Sequence, residues 1–303
     1  MAGAPVLLAC DWGTTNLRAW TLDAEGQVLA DVDFPLGVSR LPQGEAARRF
    51  TDEVRPALQA QGLPAVLCGM IGSNLGWTEA PYVDCPAAAE DLFRALVEVE
   101  PGVRIAPGLR CDGLAGAPDV MRGEEVQLFG WLAADPDRRT GRQVVCHPGT
   151  HAKWILVEDG RIIRFVTAMT GELFAVLRKH SVLKSPADPD DPAAFDAGLA
   201  AAGDGGALAA RLFTARSRVV GQDASPDSTP AYLSGLLIGA EIASLPQLLG
   251  IGPDAPIALL GDPGLTRWYA RALTAAGRRV SEHDGEAAAV AGLFALARLE
   301  GVQ

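Results

Sequence analysis

The chain of 303 residues has few of the residues that hold metal clusters or build a disulfide framework. It contains four histidines and five cysteines, with no CxxC pair. His147 and His151 are four apart, but Pro148-Gly149 between them excludes the helix that would place both on one face. Three cysteines lie within or at the end of apolar runs, namely Cys10, Cys68 and Cys146. The pattern predicts buried free thiols in a reducing, cytoplasmic compartment and no metal centre of histidine and cysteine.

Positive charge and long apolar segments are also scarce. Lys and Arg total 26 against 37 Asp and Glu, which gives a formal net charge of −11. Such a surface does not attract nucleic acid or anionic membranes. No apolar run reaches the roughly 20 residues of a membrane span, and the N-terminus lacks the basic region of a signal peptide. We expect no nucleic-acid or membrane partner, and a homodimer is left open.

The most distinctive stretch is VLLACDWGTTNLRAWTLD, residues 6–23, in which an apolar run ends on Asp11 and enters a hydroxyl-rich turn. A related stretch, GTHAKWILVEDG, occupies residues 149–160. Both turns open with Gly-Thr, carry a basic residue and continue as Trp-x-Leu-x-x-acid-Gly between apolar strand candidates. The pattern predicts an antiparallel meander of three strands that occurs twice, about half a chain apart.

Helix and strand patterns alternate after each meander. The segments are helices at 44–62, 87–100, 264–277 and 285–300, and strands at 64–70, 103–109, 256–262 and 278–284. Three strands followed by such alternation predict an α/β fold with mixed sheets flanked by helices. We expect two domains, 1–117 and 118–303, with a cleft between them. The stretch at about 184–230, rich in Pro, Asp, Ala and Gly, is expected to be a helical insertion in the second domain.

The two Gly-Thr turns have the composition of phosphate-binding loops. Glycine lets the backbone approach a bulky anion, and threonine hydroxyls and backbone amides donate to phosphate oxygens. The expected ATP phosphate contacts are Gly13, Thr14, Thr15, Asn16, Gly149, Thr150, His151 and Lys153. We expect at most one of the last two side chains to reach the phosphates. An aspartate at a strand end beside phosphates suits Mg²⁺, usually through water, so Asp11 is the expected metal residue. The alternative is an aspartate that caps its own turn.

A third segment, IALLGDPGLTRWYARAL, is an apolar strand followed by a turn and a helix. Gly261 at the strand end would let a flat adenine lie against the backbone at the helix N-terminus, with Asp262 and Leu265 beside it. Taken alone, the segment is an ordinary strand-turn-helix unit.

Together these segments resemble the two phosphate motifs and the adenosine motif of the sugar kinase/Hsp70/actin superfamily. More narrowly, the chain resembles the 2-dehydro-3-deoxygalactonokinase family from end to end. The matching segments are DWGTTNLRAW, GMIGSNLGWTEAPYVDCPA, PDVMRGEEVQLFG, PGTHAKW, MTGELFAVLRKHSVL and YLSGLLIGAE. The resemblance implies two ribonuclease-H-like domains. It also implies phosphorylation of the terminal hydroxyl of 2-dehydro-3-deoxy-D-galactonate by ATP with Mg²⁺, in galactonate or galactose catabolism.

In related kinases the catalytic base lies at the start of the helix before the second phosphate turn. That helix begins near Gly123 in this sequence, so the resemblance implies Glu124 as the base, with Glu125 second and Asp119 third. A helix N-terminus stabilises an anion, which also leaves the alternative that Glu124 only starts its helix.

A substrate carboxylate favours an arginine, because the planar guanidinium binds it bidentately. Arg122 borders the proposed base and leads over Arg18 and Arg40. The glycine-broken loop GSNLGWTEAPY has the polar groups and aromatic rings typical of a sugar pocket, and its expected substrate contacts are Ser73, Asn74, Trp77 and Tyr82. The two aromatic residues are equally suited to anchoring the loop by packing.

Two segments depart from the family pattern. Asn74-Leu75 stands where the family usually has Arg-Gln, and Ala152 stands where it usually has Ser. The first departure removes a cation near the expected sugar site, which leaves a kinase of another sugar or sugar acid as an alternative. A chaperone or filament ATPase would need a further partner-binding domain. A sugar sensor without catalysis is disfavoured, because the chain keeps Asp11, Glu124 and both turns.

Overall fold

The computed structural model of the chain describes residues 3–203 and 206–299. These residues form two compact units. The first unit runs to Arg142 and takes in Val157–Arg164 and the segment that begins at Gly285. The second unit comprises Gln143–Leu156 and Phe165–Asp284.

The strands and helices follow the chain in this order. The strands are β1 (Leu7–Trp12), β2 (Leu17–Leu22), β3 (Val28–Phe34), β4 (Ala65–Cys68), β5 (Tyr82–Asp84), β6 (Val97–Glu100), β7 (Val103–Ile105), β8 (Gly108–Asp112), β9 (Pro118–Met121), β10 (Arg142–His147), β11 (Ala152–Glu158), β12 (Arg161–Ala168), β13 (Ile257–Gly261) and β14 (Val280–Asp284). The helices are α1 (Ala46–Arg49), α2 (Arg55–Ala57), α3 (Ala89–Arg94), α4 (Glu124–Ala133), α5 (Thr170–His180), α6 (Pro192–Gly203), α7 (Leu208–Leu212), α8 (Thr214–Val220), α9 (Thr229–Leu248), α10 (Pro263–Ala275) and α11 (Gly285–Leu299).

The first unit is built on a six-stranded sheet in the order β3-β2-β1-β4-β7-β6. β1 pairs antiparallel with β2 and parallel with β4, which makes the sheet mixed. The buried strands β1 and β4 consist mostly of apolar residues, whereas β3 at the edge alternates between exposed and half-buried positions. The expected meander and the expected α/β class, with mixed sheets flanked by helices, are confirmed. A π-helical turn, Phe50–Val54, joins α1 to α2.

One helix predicted in the first half is too long. Residues 87–100 divide into the short helix α3 and the strand β6. The β-branched residues Val97 and Val99 favour a strand, and β6 pairs antiparallel with β7. A second sheet of three strands, in the order β5-β8-β9, was not predicted from the sequence.

Helices α4 and α11 pack against each other through glycine. A Cβ on Gly130 would lie 1.9 Å from the Ala288 carbonyl oxygen, and one on Gly292 would lie 2.0 Å from the Val126 carbonyl oxygen. Neither helix could approach the other this closely with larger residues. The contact keeps α4 in the first unit, which runs to Arg142, whereas the domain boundary expected from the sequence lies between residues 117 and 118.

A five-stranded sheet in the order β12-β11-β10-β13-β14 belongs for the most part to the second unit, except for the end of β11 and the start of β12, which fall within Val157–Arg164. β13 pairs parallel with β10 and with β14. The helices α5 to α10 belong to this unit, and α6, α7 and α8 lie within the expected insertion. All five cysteines are free thiols, of which four are buried. Within residues 3–203 and 206–299, no helix combines the length and the apolar character that a bilayer crossing requires.

Candidate active site

Asp11 lies near the carboxyl end of β1, opposite Arg18 of β2 and Cys68 of β4. The residue is half-buried, and Gln127 Nε2 donates a hydrogen bond to its Oδ2 at 3.4 Å. Burial raises the pKa of Asp11 to about 6; the charge of Arg18 opposes this shift and that of Glu124 adds to it. The strand therefore presents a poorly solvated carboxylate that a cation would stabilise.

The first Gly-Thr turn follows β1, with residues 14–16 exposed. Three of its carbonyl oxygens are engaged, because the amides of residues 37–39 donate to the carbonyl oxygens of residues 13–15 at 3.0 Å. Only glycine fits at position 37, since a Cβ there would lie 2.1 Å from the Thr15 carbonyl carbon. With its acceptors engaged, the turn offers mainly donors to a ligand, as a phosphate site requires.

Glu124 is the first residue of α4 and is half-buried. Two glycines with positive φ, Gly69 and Gly123, bring the start of this helix against the end of β1. A Cβ on Gly123 would lie 3.2 Å from Gly69 Cα, and one on Gly69 would lie 3.0 Å from Asp11 Oδ1. The Glu124 carboxylate accepts a hydrogen bond from the Arg122 amide at 3.1 Å. It is close enough to Asp11 to contribute to that residue's raised pKa.

The two other acids considered as bases have different surroundings. Glu125 is fully buried, and both its carboxylate oxygens lie 2.8 Å from the Gly123 amide nitrogen. Burial, together with the neighbouring charge of Glu124, raises the pKa of Glu125 to about 8. Asp119 lies on β9 of the three-stranded sheet and accepts a hydrogen bond from the Val120 amide at 2.8 Å. Of the three acids, Glu124 combines solvent access with a place beside Asp11.

Arg122 directly precedes this helix start and is 9% exposed. Its guanidinium lies 4.4 Å from the centre of the Tyr82 ring, and Nη2 donates to the Ala80 carbonyl oxygen at 2.7 Å. The other two nitrogens, Nε and Nη1, are buried without a hydrogen-bond partner among the described residues. Gly72 provides the space, because a Cβ there would lie 2.8 Å from Nη1. Unpaired buried donors raise the free energy of the fold, so this cation is suited to receive an anionic ligand.

The loop residues expected at the sugar site are engaged differently. The Ser73 hydroxyl donates to the Met70 carbonyl oxygen at 2.7 Å and so supports the loop, whereas Asn74 is exposed. Trp77 packs against the core of the first unit, with its ring centre 5.5 Å from that of Phe50. This contact corresponds to the alternative of a loop anchor. Tyr82 instead stacks on the Arg122 guanidinium, as described above.

The remaining two arginine candidates are not buried. Arg18 forms ion pairs with Asp33 and Glu286, each at 3.5 Å, and Arg40 is exposed. Both therefore lack the combination of burial and unpaired donors found at Arg122.

The second Gly-Thr turn lies between β10 and β11 and packs on the first turn of α5. The Glu172 amide donates to the Thr150 carbonyl oxygen at 2.9 Å. A Cβ on Gly171 would lie 2.4 Å from the Gly149 carbonyl oxygen, so glycine is needed at this approach. His151 is exposed, with Nε2 2.5 Å from a Glu172 carboxylate oxygen.

Lys153, in β11, is 5% exposed, and its Nζ donates to the Thr167 hydroxyl at 2.9 Å. The two basic residues of the turn region thus have opposite surroundings, since His151 faces solvent and Lys153 lies within the fold.

A cavity of about 280 Å³ lies in the second unit beside this turn. The turn, α5, α9 and the start of α10 form its walls. Its lining includes Gly149, Thr170, Phe174, Leu237, Asp262 and Leu265. Gly261, with a φ of 159°, immediately precedes this part of α10. Mostly apolar walls with a few polar groups are typical of small-molecule sites, and here they lie next to a phosphate-type turn.

Sequence reasoning missed Glu241 of α9, which is 5% exposed. Its carboxylate accepts hydrogen bonds from Trp154 Nε1 at 2.7 Å, from the Tyr269 hydroxyl at 3.0 Å and from the Thr170 hydroxyl. Burial raises the pKa of Glu241, and the three hydrogen bonds oppose the shift. A signal was present in the sequence, because Glu241 is the only charged residue in the twenty residues of α9.

The family model for 2-keto-3-deoxy-galactonokinase matches residues 11–296. The chain is 35% identical over 307 residues to the "Probable 2-dehydro-3-deoxygalactonokinase DgoK1" of Rhizobium meliloti (strain 1021), with 98% of each chain covered. It is also 35% identical over 292 residues to the 2-dehydro-3-deoxygalactonokinase of Escherichia coli (strain K12), covering 96% of this chain and 97% of that protein.

Two solved structures are similar as well. The crystal structure of a "putative 2-dehydro-3-deoxygalactonokinase protein" from Sinorhizobium meliloti has a TM-score of 0.86 at 34% identity, covering 97% of this chain and 99% of that one. The activator of the 2-hydroxyisocaproyl-CoA dehydratase from Clostridium difficile, with bound ADPNP, has a TM-score of 0.53 at 12% identity. That match covers 97% of this chain and 96% of the activator, and it is a similarity of fold.

Proposed function

The chain belongs to the 2-keto-3-deoxy-galactonokinase family, and we propose on this premise that it phosphorylates 2-dehydro-3-deoxy-D-galactonate. The γ-phosphoryl group of ATP is transferred to the C6 hydroxyl, giving ADP and the 6-phosphate, in galactonate catabolism. The proposal is carried by the Arg122 guanidinium, which is buried, has two nitrogens without a partner in the described part of the chain, and lies two residues from Glu124. A receptor for a carboxylate thus adjoins an acid suited to act as base.

Arg122 binds the carboxylate of the sugar acid in this proposal. A planar guanidinium binds a carboxylate through two parallel hydrogen bonds, which fix the orientation of the ligand as well as its position. Tyr82 holds the guanidinium plane by stacking, and Ala80 fixes one of its edges through the carbonyl oxygen. Ser73 and Asn74 remain proposed contacts of the sugar hydroxyls.

Glu124 is the proposed general base. A primary alcohol hardly ionises near neutral pH, so a positioned carboxylate should accept its proton as the oxygen bonds to phosphorus, a contribution of typically 10²–10⁴-fold. The N-terminus of α4 stabilises the carboxylate form in which Glu124 acts. Alignment of the hydroxyl with the phosphoryl group supplies most of the remaining rate enhancement.

Asp11 is the proposed protein ligand of Mg²⁺, held through water. Among the described residues no three His, Cys, Asp or Glu side chains cluster as a closed metal site. A single half-buried carboxylate nevertheless fits this ion, which is usually bound by one or two carboxylates together with nucleotide phosphates and water. When bound, the ion neutralises charge on the phosphates of ATP.

The nucleotide is proposed to occupy the second unit. Adenosine would lie in the cavity beside Gly261, Asp262 and Leu265, and the Gly149-Thr150 turn would donate to the phosphates. In the first unit, the exposed residues 14–16 carry amide and hydroxyl donors of the same kind, suited to phosphate oxygens. His151, which faces solvent, is better placed than the buried Lys153 to meet an anion. The free cysteines agree with a cytoplasmic enzyme.

The test is ADP release with Mg-ATP, measured in a coupled assay against a panel of sugars. The panel contains both C4 epimers of 2-dehydro-3-deoxy-hexonate, the parent aldonates, glucose and galactose. Turnover confined to the keto-deoxy acids, fastest with the galacto epimer, is expected. Faster turnover of another sugar would overturn the proposed substrate. The exposed Asn74-Leu75 pair would then be the first candidate for the changed specificity. Absence of turnover with every sugar, alongside ATP binding, would favour a sensor.

A further inference from the structure

Glu241 connects the elements that surround the proposed nucleotide cavity. Trp154 belongs to β11, which follows the second Gly-Thr turn directly. Thr170 is the first residue of α5, and Tyr269 lies in α10. All three donate to the same carboxylate, although Glu241 itself does not line the cavity.

A buried carboxylate in this position needs explanation. Burying a charged group is unfavourable unless it is well hydrogen-bonded. Among the described residues, no lysine, arginine or histidine pairs with Glu241, and its partners are three neutral donors. An ionised carboxylate accepts from several directions at once, which no apolar residue in this helix could do. The arrangement therefore fixes the relative positions of three elements rather than only filling space.

The contacts lead from Glu241 to the phosphate turn. Thr170 is the first residue of α5, and Gly171 follows it. Gly171 lies so close to the Gly149 carbonyl oxygen that a Cβ would not fit between them. The following amide, that of Glu172, donates to the Thr150 carbonyl oxygen. A shift of Thr170 would move this helix turn and would release the turn of residues 149–150 from its support.

We propose that Glu241 is a positioning residue for the nucleotide: it holds the second Gly-Thr turn, α5 and α10 in the arrangement that binds ATP. This inference rests on the proposed function in one respect, namely that the cavity of the second unit is the nucleotide site. Glu241 acts through Thr170, Trp154 and Tyr269 and does not touch the reacting atoms.

The experiment measures ADP binding by calorimetry and the KM values for ATP and for the sugar acid in four single variants and one double variant. Glu241→Ala removes the carboxylate and is expected to weaken ADP binding and to raise the KM for ATP at least tenfold, while the KM for the sugar acid stays within about twofold. Glu241→Gln is the conservative variant, since its amide oxygen accepts from Trp154 while its NH₂ donates to the two hydroxyls. It should restore binding to within about threefold of the wild type.

Tyr269→Phe provides a test that does not depend on whether Glu241→Ala folds. It removes only the hydroxyl that donates to Glu241, and it should weaken ADP binding about threefold. The matched control is Tyr232→Phe, which removes a buried hydroxyl bonded to Thr214, away from the cavity lining. Combining Tyr269→Phe with Glu241→Ala should add nothing further, because both act through one carboxylate.

The outcomes separate the inference from the proposed function. If the wild type binds ADP and Glu241→Ala binds it equally tightly, the positioning role alone is overturned. The same holds if Tyr269→Phe and Tyr232→Phe bind ADP with equal affinity. A parallel rise in both KM values would also overturn it, since it would indicate general loosening. A wild-type protein that binds no ADP would overturn the nucleotide site and the inference together.

Discussion

Replacement of Arg122 by Met tests the substrate site through two opposite expectations, one for activity and one for stability. Methionine keeps an apolar stem of similar length but removes the guanidinium. If Nε and Nη1 donate to a substrate carboxylate, the variant loses two charge-assisted hydrogen bonds, each worth about 1.5–3 kcal/mol. The lower end, about 3 kcal/mol, corresponds to a fall of roughly 100-fold in kcat/KM for the sugar acid.

The stability of the ligand-free protein should change little. The variant loses the contact with Tyr82, worth about 0.5–2 kcal/mol, and leaves the Ala80 carbonyl oxygen without its partner. It also removes two buried nitrogens that have no partner within residues 3–203 and 206–299, each of which costs about 1–3 kcal/mol. Because these contributions oppose one another, we expect the free energy of unfolding to change by less than about 2 kcal/mol. Truncating a buried ion pair of structural importance would instead cost about 3–5 kcal/mol.

The assay is steady-state kinetics with varied sugar acid at saturating Mg-ATP, together with urea unfolding of the same preparations. Arg40→Met is the control, because it removes an exposed arginine and should leave both quantities unchanged. An unchanged KM and kcat for the sugar acid in Arg122→Met would refute the carboxylate role. A loss of 3–5 kcal/mol in the unfolding free energy would show that the guanidinium is satisfied within the fold.

Three further substitutions test other parts of the site. Glu124→Gln should lower kcat by about 10²–10⁴-fold and leave ADP affinity unchanged in calorimetry, since it removes the proton acceptor; wild-type turnover would exclude Glu124 as the base. Glu125→Gln should become more stable than the wild type as the pH rises. The folded pKa of Glu125, about 8, lies above the ordinary value of 4.5, so its contribution to stability is full below about pH 4.5 and is lost as the pH approaches 8. Urea unfolding from pH 5 to 8 should show the advantage growing by at most about 1.4 kcal/mol per pH unit, and a constant difference would contradict the shift. Gly37→Ala should destabilise the first Gly-Thr turn by about 1–3 kcal/mol, because its Cβ would overlap Thr15; Gly252→Ala, with open space around it, is the control, and equal unfolding energies would contradict the close approach.

The sequence was informative wherever the signal is local. The strands around both Gly-Thr turns are continuous apolar or alternating runs, and the turns between them are marked by glycine and threonine, so both meanders could be predicted. Residues 87–100 were predicted as one helix because their alanine and glutamate residues favour a helix. Pairing with β7 instead stabilises the second part of this segment as the strand β6. Local composition does not reveal such a partner.

The features that set the site apart depend on distant residues. Gly37 is needed because residues 14–15 lie against it, and Gly130 is needed because α11 does. Neither requirement can be seen from the neighbours of these glycines in sequence. The burial of Arg122 likewise depends on Tyr82 and Gly72. The sequence alone ranked Arg122 ahead of Arg18 and Arg40, because it borders the proposed base, but gave no sign of this burial.

The glycine contact between α4 and α11 also has a consequence for synthesis on the ribosome. The second unit, residues 143–156 and 165–284, is encoded within the first and is complete before α11 emerges. Domains commonly fold during translation in the order in which they are made. For α4 we expect the reverse order, because this helix lacks its packing partner α11 until residues 285–299 have been translated. We therefore expect the first unit, whose translation begins first, to finish folding last.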